Sequence, residues 1–115
     1  MQRLAIFYGD LWGKHMNKDF YHSKKWELMR LSILRRDGYM CRCCKRYGKN
    51  VSASHVHHIL PYEIYPEYSM ERWNLISLCQ ACHNKMHDRD THDLSEEGMK
   101  LARSTARGRD IPWKK

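Results

Sequence analysis

Cys79-Gln80-Ala81-Cys82-His83-Asn84-Lys85-Met86-His87 is the stretch on which the reading of this chain turns. Cys79 and Cys82 present two sulfurs from one tight turn, and Cys41-Arg42-Cys43-Cys44 repeats that spacing upstream. Two such hairpins complete the tetrahedral thiolate shell that structural zinc prefers, so Cys41, Cys44, Cys79 and Cys82 are assigned to structural Zn2+. His83 and His87 stand four residues apart, so on a helix expected from about Ala81 to Asp88 they share one face and can bind a metal together. Two metal sites therefore share one stretch of chain, and the second is of the open kind that enzymes use.

Moving outward, five cysteines leave one thiol spare, and its offset from Cys41 identifies it as Cys43. A redox role for Cys79 and Cys82 would leave the first cysteine pair unexplained, and nothing around them reads as a βαβ unit. A zinc-protease reading needs a glutamate beside the first histidine as general base, and Asn84 stands there instead. Five histidines lie between residues 55 and 87. His15, His22 and His92 lie away from that cluster and read as solvated or hydrogen-bonded side chains.

With 115 residues the chain has room for one small domain. Leu, Ile, Val and Phe together supply only 20 residues, too few for an ordinary core. Four Trp, seven Tyr and seven Met add apolar surface, and a metal closing the loop between Cys44 and Cys79 substitutes for missing burial. No apolar run reaches membrane-spanning length, and Leu4-Ala5-Ile6-Phe7-Tyr8 is cut short by Gly9-Asp10 without a signal-type cleavage site. The expected location is the cytoplasm, without membrane contact.

The net charge of +8 is unevenly spread. Residues 1–50 carry twelve Lys and Arg against four acids, residues 51–93 three against six, and residues 94–115 six against three. Basic flanks around a histidine-rich centre suit a protein that holds a polyanion and does chemistry on it in the middle. Arg30, Arg35 and Arg36, which either complement the C-terminal dipole of their helix or touch phosphates, and Arg107 and Arg109 are the candidate nucleic-acid contacts, to DNA on the reading reached below.

Residues 1–21 show no clear period and form an N-terminal arm or packing segment. Trp26, Met29, Ile33 and Leu34 fall at helical spacing, with Ser23 as cap and Asp37-Gly38 as stop. Tyr39 to Asn50 reads as a metal knuckle and loop, Val51 to Leu60 as a short strand stopped by Pro61, and Trp73 to Leu78 as a second strand. Ser95 starts a last helix through about Arg103, after which the 107–115 tail is expected to be mobile. The division is 1–21, a central domain over 22–93, and a C-terminal helix and tail over 94–115.

Taken in order, Cys-x-x-Cys, His57-His58-Ile59, Asn74-Leu75, Cys79-x-x-Cys82-His83 and His87 resemble the HNH nucleases, over roughly residues 20–90. The stretch from Trp26 to Gly38 also resembles the helix preceding the motif in small phage and bacterial members. The resemblance implies an α+β fold: a small zinc-stapled ββα-metal domain of the HNH, or His-Me finger, type with flanking helices. It implies His57 as a catalytic-metal ligand, His58 as the general base that activates water, and Asn74 as the residue orienting His58. His83 and His87 would complete the metal shell, as in the colicin-type branch. Where an aspartate often stands, this chain has His57, and three imidazoles make a softer shell, favouring Zn2+, Ni2+ or Mn2+ over Mg2+. Adjacent strand residues face opposite sides, so the backbone is expected to bend for His57 and His58 to address one phosphate.

The implied activity is metal-dependent DNA phosphodiester hydrolysis, by nicking or double-strand cleavage, leaving 5′-phosphate and 3′-hydroxyl ends. Small solitary members are often phage or mobile-element proteins, some working with packaging machinery, so the expected partners are DNA and a packaging or other DNA-processing protein, with the chain a monomer or homodimer. The competing reading is a non-catalytic zinc-stabilised nucleic-acid-binding module, which accounts for charge and cysteines but not for the matching histidines and Asn74.

Overall fold

The computed structural model describes residues 18–88, 90–91 and 93–114. The expectations for residues 1–17, including His15, and for His92 lie outside the described residues. The elements are α1 (Lys18–Tyr21), α2 (Lys24–Arg36), α3 (Arg42–Arg46), β1 (His55–His58), β2 (Leu75–Leu78), α4 (Gln80–Lys85) and α5 (Glu96–Gly108), with single 3-10 turns at Pro66–Tyr68 and Arg72–Asn74.

Helix α2 forms as its pattern predicts. Ser23 caps it, its hydroxyl accepting from the Trp26 N–H at 3.1 Å, and Trp26, Ile33 and Leu34 are buried on one face. The stop is a left-handed pair, Gly38 at φ 65° and Tyr39 at φ 61°. Asp37 does more than end the helix. Its fully buried carboxylate takes hydrogen bonds from Arg36 at 2.8 and 3.0 Å, from Arg42 at 3.0 Å and from the Ser77 N–H at 3.1 Å, joining α2, the first knuckle and β2. Burial would raise this carboxyl, but these donors outweigh it and hold it at about 2.

Strands β1 and β2 pair antiparallel, His55 opposite Leu78 through to His58 opposite Leu75. The strands are shorter than the sequence predicts. Ser52 makes an isolated bridge to Met40 before β1 begins, and Trp73 and Asn74 belong to the turn Arg72–Asn74 because Asn74 is needed to brace the 59–74 connection. Helix α4 stops at Lys85 rather than near Asp88, and His87 lies beyond it in a bridge to Leu94.

Burial is divided among three small clusters rather than one core. One gathers Leu78 and Met86 around the cysteines, one places Trp26, Ile33 and Leu75 between α2 and the sheet, and one joins Ile59, Leu60 and Tyr65 to Ala102 and Ala106 of α5. The third cluster explains two departures from expectation. Ala106 continues the buried stripe of Ala102 one turn on, so α5 runs to Gly108 instead of ending near Arg103. The tail, expected to be mobile over 107–115, is packed through residue 114: Ile111 and Trp113 lie on this cluster and the Lys114 N–H donates to the Tyr65 hydroxyl at 2.6 Å. No helix among the described residues is long and apolar enough to cross a membrane.

Candidate active site and metal centres

The four cysteines converge from two pieces of chain. Cys41 precedes α3 and Cys44 lies in it, while Cys79 caps α4 and Cys82 lies in its first turn. Their sulfurs all lie within 4.8 Å of one another, Cys44 Sγ being 3.8 Å from Cys79 and 3.6 Å from Cys82, with no disulfide among them. Burial pushes Cys41 up, yet backbone N–H groups of Cys44 and Cys79 outweigh it and bring its thiol down to about 7, whereas burial and the neighbouring sulfurs push Cys82 up. Four thiols this close cannot all ionise without a cation among them, so their chemistry and spacing fit zinc.

A second group forms beside it. His57 of β1, His83 of α4 and His87 bring one nitrogen each within 4.8 Å of the others, with ring centres 5.0 to 5.4 Å apart. His57 is 3% exposed, and His57 Nε2 and His83 Nδ1 are buried without a hydrogen-bond partner. Burial holds His57 well below its ordinary pKa and His83 at about 3, with the neighbouring His87 adding to both shifts. His57 and His83, kept neutral and with orphaned nitrogens, together with His87 make the donor set of a divalent-metal site.

His58 faces the other way. Sheet pairing continues regularly through it, so the expected bend is absent from β1: His57 turns toward α4 and His58 toward α2. Its ring stacks on Trp26 at 4.9 Å and 21°, with Phe20, Tyr21 and Tyr62 around it. Nε2 lies 2.9 Å from the Ser69 carbonyl, which can only accept, so Nε2 carries the proton. Nδ1 is left as an acceptor and takes a hydrogen bond from the Tyr21 hydroxyl at 3.1 Å. Burial lowers His58 to about 4, against some support from Ser69, and keeps it a neutral acceptor at physiological pH.

Asn74 is fully buried and bonds backbone rather than His58. Its oxygen accepts from the Leu60 N–H at 2.7 Å, and its amide donates to the carbonyls of Leu60 at 3.2 Å and Tyr68 at 3.0 Å. It thereby fixes the loop that carries Ser69, and reaches His58 only through that loop. Of the sequence-predicted DNA contacts, Arg36 donates to Asp37 and to the carbonyls of Arg72 and Leu75, Arg30 to the Ser54 carbonyl at 3.4 Å, and Arg109 lies over Trp73 at 4.5 Å. Arg35 and Arg107 are exposed and have no side-chain partner among the described residues. Tyr21, Ser69 and the ring cage were not singled out in the sequence. Ser69 acts through its carbonyl, which every residue has, and Tyr21 lies 37 positions from His58.

The HNH endonuclease family profile matches residues 41–89, a span holding both metal-type clusters and His58. No curated protein matches the chain. Among solved structures, the HNH endonuclease of the deep-sea thermophilic bacteriophage GVE2, crystallised with a manganese ion, is similar at 43% identity over 58% of this chain and 73% of that one, with a TM-score of 0.57. A match that covers most of the phage enzyme, together with the histidine and cysteine geometry, is conclusive: this chain is a nuclease and belongs to the HNH endonuclease family.

Proposed function

We propose that this nuclease hydrolyses DNA phosphodiester bonds with His58 as general base and a divalent ion held by His57, His83 and His87 on the opposite face of β1, the strand end turning on DNA binding so that both reach one phosphate, while zinc on the four cysteines serves the fold. The observation that carries the reading is the tautomer of His58. With Nε2–H fixed on the Ser69 carbonyl, Nδ1 is the lone pair able to take a proton, and burial keeps it unprotonated at neutral pH. In the reaction Nδ1 removes a proton from water, the water oxygen bonds to phosphorus, the bond to the 3′ oxygen breaks and that oxygen takes a proton from solvent, leaving 5′-phosphate and 3′-hydroxyl ends, after which His58 returns its proton to solvent. When bound, the divalent ion supplies charge neutralisation on the phosphoryl and leaving oxygens. Asn74 positions His58 by holding the loop of Ser69.

Three neutral imidazoles favour manganese, nickel or zinc over magnesium, and the similar phage enzyme was crystallised with manganese. That likeness also supports a phage or mobile-element origin, and the family resemblance of the sequence is the basis for proposing a location in the host cytoplasm and a role beside packaging or another DNA-processing protein. Acting alone, as a monomer or homodimer, the chain nicks with little sequence preference, and a partner or dimerisation supplies targeting.

The test is cleavage of supercoiled plasmid by purified protein with Mg2+, Mn2+, Ni2+ or Zn2+ added in turn, and His58→Ala alongside. Metal-dependent nicking that His58→Ala abolishes is expected. Undiminished nicking by His58→Ala, with zinc and fold retained, removes His58 from the mechanism.

A further inference from the structure

We infer that the outer turn of the first cysteine knuckle, residues 42–49, grips the DNA backbone. The inference rests on DNA as the substrate and not on the role of His58. From residue 38 to residue 62 the chain has no acid, while Arg42, Lys45, Arg46 and Lys49 crowd into eight positions. Lys45, Arg46 and Lys49 are exposed without a side-chain partner among the described residues, and Tyr47 between them is 74% exposed. The arginines of α2 contrast with these, since Arg36 is spent on Asp37 and two carbonyls. The turn is fixed by 3.0 Å backbone bonds from Lys45 to Cys41 and from Tyr47 and Lys49 to Cys44, so its cations are presented from a rigid base. Lys45 adjoins Cys44, His83 adjoins Cys82, and those two sulfurs are 3.6 Å apart. The turn is thereby tied through the sulfur cluster to α4, the helix that carries His83.

Three free cations on one turn predict a measurable share of counterion release. Binding of a short labelled duplex to zinc-loaded protein, without added divalent ion, is followed by fluorescence anisotropy between about 50 and 200 mM salt. In the triple variant Lys45→Gln, Arg46→Gln, Lys49→Gln, the slope of log affinity against log salt should flatten by about 3, with affinity at least about tenfold weaker. Lys45→Gln and Lys49→Gln singly, each flattening the slope by about 1, keep the test available if the triple change disturbs the knuckle. An unchanged slope and affinity overturn the inference. A wild type that binds with the expected slope but cuts nothing would instead count against the catalytic reading.

A separate observation carries a second proposal, which rests on His58 being the base: the geometry points to Tyr21 as a cap that must leave His58 before water can be activated. One lone pair accepts one hydrogen, and the Tyr21 hydroxyl stands 3.1 Å from Nδ1, where an attacking water would have to be. Phe20, stacked on Tyr62 at 4.7 Å, helps close the cage, and both rings of the cap belong to the four-residue α1. Burial, with Glu63 adding to it, pushes the Tyr21 hydroxyl up, so it stays a protonated donor and does not replace His58 as base. Tyr21→Phe keeps the ring and removes the hydrogen bond. With a small chromogenic phosphodiester and Mn2+ its turnover should rise about fivefold, the typical net worth of one hydrogen bond expressed as a rate, and Tyr21→Ala should rise at least as far. A fall in both variants overturns the cap and makes the hydroxyl a participant in proton transfer. His58→Ala in parallel separates the two readings: unchanged activity there refutes the base, whatever the tyrosine variants do.

Discussion

The cysteine site and the histidine site each gather their ligand atoms within 4.8 Å of one another, yet they hold different amounts of the molecule. The sulfurs join the knuckle around α3 to the β2–α4 junction, 35 residues away. The imidazoles come from one end of β1 and from α4 and its continuation, elements already paired through the sheet. One cluster closes the fold; the other is presented by it. Because Cys82 and His83 are neighbours on α4, dependence runs one way: losing zinc should scatter the histidines, while losing the histidines should leave zinc in place.

The largest effect should come from breaking the first site. Cys82→Ser is expected to abolish the cooperative thermal transition seen by circular dichroism, since structural zinc contributes about 10–16 kcal/mol in small zinc domains and the three apolar clusters here are slight. A cooperative transition surviving at the wild-type temperature would show that the clusters hold the fold without the metal. His83→Ala is the counterpart, and should lower plasmid nicking by about 100-fold or more, roughly 3 kcal/mol of transition-state stabilisation, while zinc content and melting stay near wild type. Loss of zinc from His83→Ala would end the one-way dependence.

How much of this was legible in the sequence follows the same division. Cys41, Cys44, Cys79 and Cys82 announce themselves by spacing, and Trp26, Ile33 and Leu34 by periodicity, because those signals are local. His57 and His58 were visible as a pair that a regular strand turns to opposite sides, but that the strand stays regular instead of bending is set by pairing with Ile76 and Leu75 across the sheet. Asn74 was visible as a residue and not as a brace, since its partners are backbone atoms of Leu60 and Tyr68. The tail was misread because Tyr65, which receives Lys114, lies 49 positions away and nothing near Trp113 signals it.

Burial gives His58 an acid response of its own, which offers a smaller effect. The ordinary imidazole value is near 6.5, and burial lowers His58 to about 4. Between those values the unfolded chain binds a proton that the folded chain refuses, so stability falls as pH drops from about 6.5 toward 4 and this contribution is complete above 6.5. From pH 7 to pH 5 the loss due to His58 is about 2 kcal/mol. Urea unfolding of wild type and His58→Phe, which keeps a ring against Trp26, should differ in pH dependence by that amount. Parallel profiles would mean that His58 is hydrated in solution and titrates normally.

The smallest effect concerns the fifth sulfur. Cys43 is half-buried and packs against the cysteine cluster, so proximity alone does not exclude it from the shell. Helical geometry does: Cys41 and Cys44, three residues apart, lie on one side of the knuckle, and Cys43 is rotated about 100° from Cys44. Cys43→Ala should therefore keep one zinc per chain and lose less than about 1 kcal/mol, the cost of a trimmed, partly exposed side chain. Zinc loss in that variant would mean that the shell exchanges sulfurs, and a shell that exchanges sulfurs is too loose to fix the turn that bears Lys45, Arg46 and Lys49. The rigidity of the closing site and the grip proposed for its outer turn thus stand on the same four thiolates.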